Sequence, residues 1–96
     1  MVKIYASGRL TSDAKVFSYG SNGSGVSFTI ASNDRGSENT DFIQCTMFNR
    51  DETFAQYLKK GQYVVASGRY KKNEQGYVSC IVDDFEFGGF NKNNSN

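Results

Sequence analysis

The residues best suited to chemistry lie between Asp41 and Phe48, where the chain reads Asp-Phe-Ile-Gln-Cys-Thr-Met-Phe. A strand sends successive side chains to opposite faces, so this segment splits into two different surfaces. Ile43, Cys45 and Met47 form an apolar face; Phe42, Gln44, Thr46 and Phe48 form the other. Two aromatic rings spaced by polar groups make a poor core but a good platform for flat ligands. A nucleobase needs a π surface and a few polar partners, and the pattern points to a nucleic-acid-binding sheet. The competing reading buries both rings against a helix, a second sheet or a partner, as in a protein-interaction module.

Other chemistries are closed off by composition. The chain has no His, which removes Ser-His and Cys-His catalysis together with the commonest metal ligand. Its two cysteines, Cys45 and Cys80, cannot supply a structural zinc site. Asp83 and Asp84 are adjacent, and neighbours on a strand point apart, so they do not form an acid/base pair. The expectation is a non-enzyme without cofactor or metal. Formal net charge is only +1, so affinity for a polyanion must come from local clusters of Lys and Arg combined with stacking. No apolar run approaches membrane-spanning length, and two core-facing cysteines without a signal peptide fit reduced thiols in a cytoplasmic protein.

The elements that must position the platform follow from periodicity. Ninety-six residues fit one domain with a single core. Eight Phe, six Tyr, ten Gly and no Pro fit short strands joined by glycine and asparagine turns. Val2, Ile4, Ala6, Gly8 and Leu10 alternate with Lys3, Tyr5, Ser7, Arg9 and Thr11, giving a first strand. A short piece around 15–19 and a flexible glycine-serine turn at 20–25 precede a second long strand, in which Val26, Phe28 and Ile30 face inward. A polar loop at 33–40 leads into the platform strand. Asn49 or Asp51 then caps a short helix with Phe54, Tyr57 and Leu58 on its packing side, stopped by Gly61. Residues 62–72 return to strand with Val64, Ala66 and Gly68 inward and Tyr70 closing the same column; 73–76 is a hairpin tip, and 77–87 is the last strand. The domain is expected over 1–88, with 89–96 a disordered polar tail. Five strands with one short helix between the third and fourth is the element order of the OB-fold, an all-β, partly open Greek-key barrel whose face binds oligonucleotides.

Three segments resemble the single-stranded DNA-binding protein (SSB) family of bacteria and phages. Lys3-Ile-Tyr-Ala-Ser-Gly-Arg-Leu10 followed by Asp13 is similar to its opening strand. Val26-Ser-Phe-Thr-Ile-Ala31 resembles its Phe-Thr-Leu-Ala strand. Tyr57-Leu-Lys-Lys-Gly61, with Val64 and Ser67-Gly-Arg69, resembles its Tyr-Leu-x-Lys-Gly segment and Glu-Gly-Arg strand. The resemblance runs over about residues 2–87 and implies that Phe42 stands where the family often has a stacking Trp and Phe48 where it has a stacking Phe. It also implies that Arg35 lies near a further aromatic or basic contact and that Lys3 matches a basic residue of the first strand. The chain departs from the family in having no Trp and a shorter hairpin at 71–77. It also ends at Asn96 without the family's acidic tip, which fits a phage or plasmid version or a trimmed chain.

The expected role is therefore a non-catalytic coat for single-stranded DNA. The backbone is expected along Lys3, Arg9, Arg35, Arg50, Arg69, Lys71 and Lys72, with bases stacked on Phe42, Phe48 and Tyr77. The resemblance also implies a homotetramer, or alternatively a dimer, with Tyr5, Tyr63 and Val65 on outward faces available for subunit contacts. An RNA-binding OB-fold is the rival within nucleic-acid binding.

Overall fold

The computed structural model describes residues 1–33 and 39–87. Its elements are β1 Lys3–Leu10, β2 Lys15–Tyr19, β3 Gly23–Asn33, β4 Thr40–Phe48, α1 Glu52–Ala55, β5 Tyr63–Lys72 and β6 Val78–Phe87. The strands hydrogen-bond in the order β1-β5-β6-β4-β3-β2, and a further β1–β3 pairing closes β1, β5, β6, β4 and β3 into a barrel. The five-stranded barrel is thus as expected. The piece at 15–19 is a sixth strand outside the ring, paired to the first half of β3 from Lys15↔Ser27 to Tyr19↔Gly23.

Alternation decides what faces inward. The core holds Ala6 and Leu10 of β1, Val26, Phe28 and Ile30 of β3, Cys45 and Met47 of β4, Val64 and Ala66 of β5, and Cys80 and Val82 of β6. Each set repeats every two residues, the period of a strand with one face on a core. Both cysteines are free and buried, and they are register partners on the barrel's parallel pair, β4 and β6. Tyr70, at the end of the inward column of β5, is half-buried. Closure is narrow: β1 meets β3 only at Arg9↔Ala31 and Leu10↔Ile30. Gly8 lies beside this seam, and a Cβ there would collide with the carbonyl oxygen of Ala31.

The helix is a single turn, as short as its sequence pattern allows, and it stops well before Gly61. Asp51 caps it, accepting from Thr53 N at 3.0 Å and Phe54 N at 3.4 Å, but the helix ends at Ala55. Leu58 is fully buried and Phe54 packs edge-on to Phe85 at 5.8 Å, whereas Tyr57 is 61% exposed and is not a packing residue. The physical reason is the early end of the helix: past one turn, the three- and four-residue spacing from Phe54 no longer puts Tyr57 on the same side as Leu58. Gly61, at φ +88°, belongs to the following turn and does not terminate the helix. The last strand begins at Val78, not Tyr77; Asn73 Oδ1 accepts from Gln75 N at 3.0 Å and Tyr77 N at 2.9 Å, so Tyr77 belongs to the hairpin tip.

Candidate nucleic-acid interface

The outer face of β4 keeps the alternation set by its sequence. Phe42 is 63% and Phe48 42% exposed, with Gln44 and Thr46 between them on the same side and Cys45 and Met47 buried behind. Six residues of strand separate the two rings, about 20 Å at ~3.4 Å per residue.

Register carries this face across the sheet. Lys3 pairs with Arg69, Arg69 with Ile81, Ile81 with Thr46, Thr46 with Ser27, and Ser27 with Lys15. One transverse row thus runs through all six strands with cations at both ends and Ile81, Thr46 and Ser27 in the middle. A second row links Lys71, Ser79, Gln44 and Thr29. Beside the start of β2, a recess of about 160 Å³ is lined among others by Asp13, Lys15, Ser27, Thr29 and Gln44. None of the last four side chains has a hydrogen-bond partner among the described residues, so they are free to bind a ligand.

The cations named from sequence divide into two groups. Arg69, Lys71 and Lys72 are exposed and unpaired among the described residues. Lys3 Nζ instead contacts Asp83 Oδ2 at 2.8 Å, an exposed ion pair that lowers its net attraction for phosphate. Asp83 reaches it because β6 shifts register opposite Ser67 and Gly68. Arg9 Nη1 donates to the Gly61 carbonyl at 2.9 Å, and its guanidinium lies over Tyr63 at 5.7 Å. Arg50 Nη1 donates to the Asn49 carbonyl at 3.1 Å and lies over Phe54 at 5.4 Å. Arg9 and Arg50 are therefore held, although both keep guanidinium donors to spare. Tyr77 is 72% exposed at the tip of the β5–β6 hairpin. Arg35 lies outside the described residues.

Sequence reasoning passed over Lys15, Phe17 and Tyr19. The rings of Phe17 and Tyr19 flank Phe48 at 6.0 and 5.1 Å, both edge-on. Their signal was present: cation, ring, ring at alternate positions of a five-residue strand. It was hidden because the segment has no inward apolar column of its own, Val16 being 45% exposed.

Among the described residues, no three His, Cys, Asp or Glu side chains are grouped to hold a metal, and no helix is long and apolar enough to cross a membrane. Burial, and secondarily Cys80, pushes the Cys45 thiol up from 9.0 to about 12; burial also raises Cys80. Both thiols are thus kept protonated and unreactive at neutral pH.

Comparison with known proteins agrees with this geometry. A protein from Clostridium perfringens named single-stranded DNA-binding protein is 38% identical over 98 residues, spanning 91% of this chain and 65% of its own. One of the same name from Oceanobacillus iheyensis is 38% identical over 91 residues, spanning 80% of this chain and 56% of its own. The chain thus covers less than two thirds of these relatives. Among solved structures, the second single-stranded DNA-binding protein from Mycobacterium smegmatis superposes with TM-score 0.75 at 21% identity, over 88% of this chain and 86% of that one. The single-stranded DNA-binding protein from Thermus aquaticus gives 0.79 at 18% identity, over 100% of this chain and 44% of that one. These two likenesses establish the fold. The model of the single-strand binding protein family matches residues 1–77, and the chain belongs to that family.

Proposed function

We propose that this protein binds single-stranded DNA without sequence readout and coats it during replication, recombination and repair, as a non-catalytic protein. The observation that carries this reading is the outer face of β4: two exposed rings about 20 Å apart, joined by a strip of unpartnered hydroxyl and amide groups and bordered by free cations on both sides. Every base has a π face, so such a surface accepts any sequence, while Lys15, Arg69, Lys71 and Lys72 follow the backbone. The names of the relatives support the same reading.

A homo-oligomer, tetrameric or dimeric, belongs to the proposal. Tyr5, 72% exposed on β1, and the half-buried Tyr63 and Val65 on the neighbouring β5 lie on the outward faces suited to a subunit contact.

Competition between single-stranded DNA, RNA and duplex for the purified protein tests the reading, with mass in solution measured in parallel with and without long oligothymidine. Binding to mixed or oligothymidine single strands should exceed binding to duplex. With about four to six phosphates contacted, log affinity should fall against log salt with a slope of about −3 to −4. Equal affinity for duplex, or a flat salt response, would refute it.

A further inference from the structure

We infer that Phe17 and Tyr19 build with Phe48 a composite base-stacking station at the β2–β3 hairpin, separate from the one at Phe42. The inference rests on the single-strand reading above and names further residues that hold the strand.

The register explains the construction. Phe17 lies opposite Gly25 and Tyr19 opposite Gly23, while Gly25 in turn lies opposite Phe48. With no side chain in the way, the two rings cross over onto β3. A Cβ on Gly25 would come within 2.5 Å of Phe17 Cζ, and one on Gly23 within 2.5 Å of Tyr19 Cε2. Phe48 stands at 84° to Phe17 and 86° to Tyr19, whose own planes are tilted by 42°. Phe48 thus stands nearly perpendicular to two half-buried hairpin rings, which together make a bent floor beside it. A flat base seated there meets a π face below and another at its edge, the two arrangements aromatic groups prefer.

The station is held in place before any ligand arrives. Tyr19 Oη donates to Asn49 Oδ1 at 3.0 Å, and Asn49 takes a left-handed backbone, φ +63°, directly after Phe48. Asn49 N and Arg50 N both donate to the Ser24 carbonyl, at 3.0 and 3.2 Å, tying the end of β4 to the hairpin. Lys15, exposed two residues before Phe17 on the same face, supplies a free cation for the adjoining phosphate. The cluster is not closed off from solvent: Phe48 keeps 42% of its surface exposed and shares its strand face with Thr46, Gln44 and Phe42.

Gly23 offers a clean perturbation. The three atoms nearest to a Cβ there all belong to the Tyr19 ring, whereas one at Gly25 also meets the Met47 carbonyl at 2.8 Å. Gly23→Ala should therefore displace the Tyr19 ring from its place over β3. The experiment titrates labelled oligothymidine into the wild type, Tyr19→Phe, Tyr19→Ala, Gly23→Ala and Phe42→Ala, with urea unfolding alongside. In addition, the wild type is photocrosslinked to oligothymidine carrying 5-iodouracil. Tyr19→Ala and Gly23→Ala should bind about 5- to 150-fold more weakly, Tyr19→Phe, which keeps the ring and loses only the Asn49 hydrogen bond, should fall closer to the wild type than Tyr19→Ala, and crosslinks should include Phe17 or Tyr19. Folded Tyr19→Ala and Gly23→Ala proteins with unchanged affinity would overturn the inference, as would crosslinks confined to the Phe42 end. Either result leaves the single-strand reading standing if Phe42→Ala still weakens binding. Failure of the wild type to bind single strands defeats that reading itself.

Discussion

Phe42 and Phe48 sit on the same face of the same strand, yet the structure assigns them different energetic roles. Phe42 is 63% exposed and has no ring partner among the described residues. Truncating it to Ala should shift stability by no more than ~0.5 kcal/mol, as for an unengaged surface residue, while removing a stacking surface worth about 1–3 kcal/mol of single-strand affinity. Phe48 loses the same stacking surface and more. Its two edge-on ring contacts are worth ~0.5–1.5 kcal/mol each. A little over half of its surface is buried, adding about 1–1.5 kcal/mol on the scale of a fully buried Phe. Phe48→Ala should therefore destabilise by about 2–4 kcal/mol, a drop in melting temperature of roughly 10–25 °C for a domain this size. Urea unfolding and fluorescence-anisotropy titration of both variants check this. Equal stability losses for the two would refute the reasoning, because the hairpin rings would then contribute nothing to holding Phe48; so would a Phe48 variant as stable as the wild type.

Met47, 4% exposed on the opposite side of the strand, gives the complementary case: Met47→Ala should cost about 2–5 kcal/mol of stability, and affinity measured well below the new unfolding midpoint should be unchanged. The Cys45 thiol, raised from 9.0 to about 12 by burial, should resist iodoacetamide at pH 8 in the native state and react once urea unfolds the barrel. The same shift sets a sign for stability. The folded state holds this proton more tightly, so the contribution is fully present below pH 9 and is lost as pH rises from 9 towards 12, which urea midpoints of the wild type beside Cys45→Val across that range would register. Asp83→Asn breaks an exposed ion pair, so stability should change by less than ~1 kcal/mol while single-strand affinity rises at low salt, because Lys3 is released and a negative charge removed.

Much of the barrel was legible along the chain because strand alternation is a local property. Whether Val26, Phe28 and Ile30 face in and Ser27 and Thr29 out depends only on a two-residue period, and the same logic separated Met47 from Phe48. Glycine, asparagine and aspartate likewise marked the Asn73–Gly76 hairpin and the Asp51 cap from their own chemistry. What alternation cannot supply is the partner. That β4 lies parallel to β6, bringing Cys45 beside Cys80 and Thr46 beside Ile81, depends on contacts between segments 35 residues apart. Only that register joins Lys3, Arg69 and Lys15 into one row across six strands. Only the bulge in β6 delivers Asp83 to Lys3, and only the glycines of β3 let Phe17 and Tyr19 lie against Phe48. The sequence alone determined which side chains could face a ligand. The tertiary structure decided which of them are free to do so, because a cation or a ring is free or engaged according to neighbours that the chain brings from a distance.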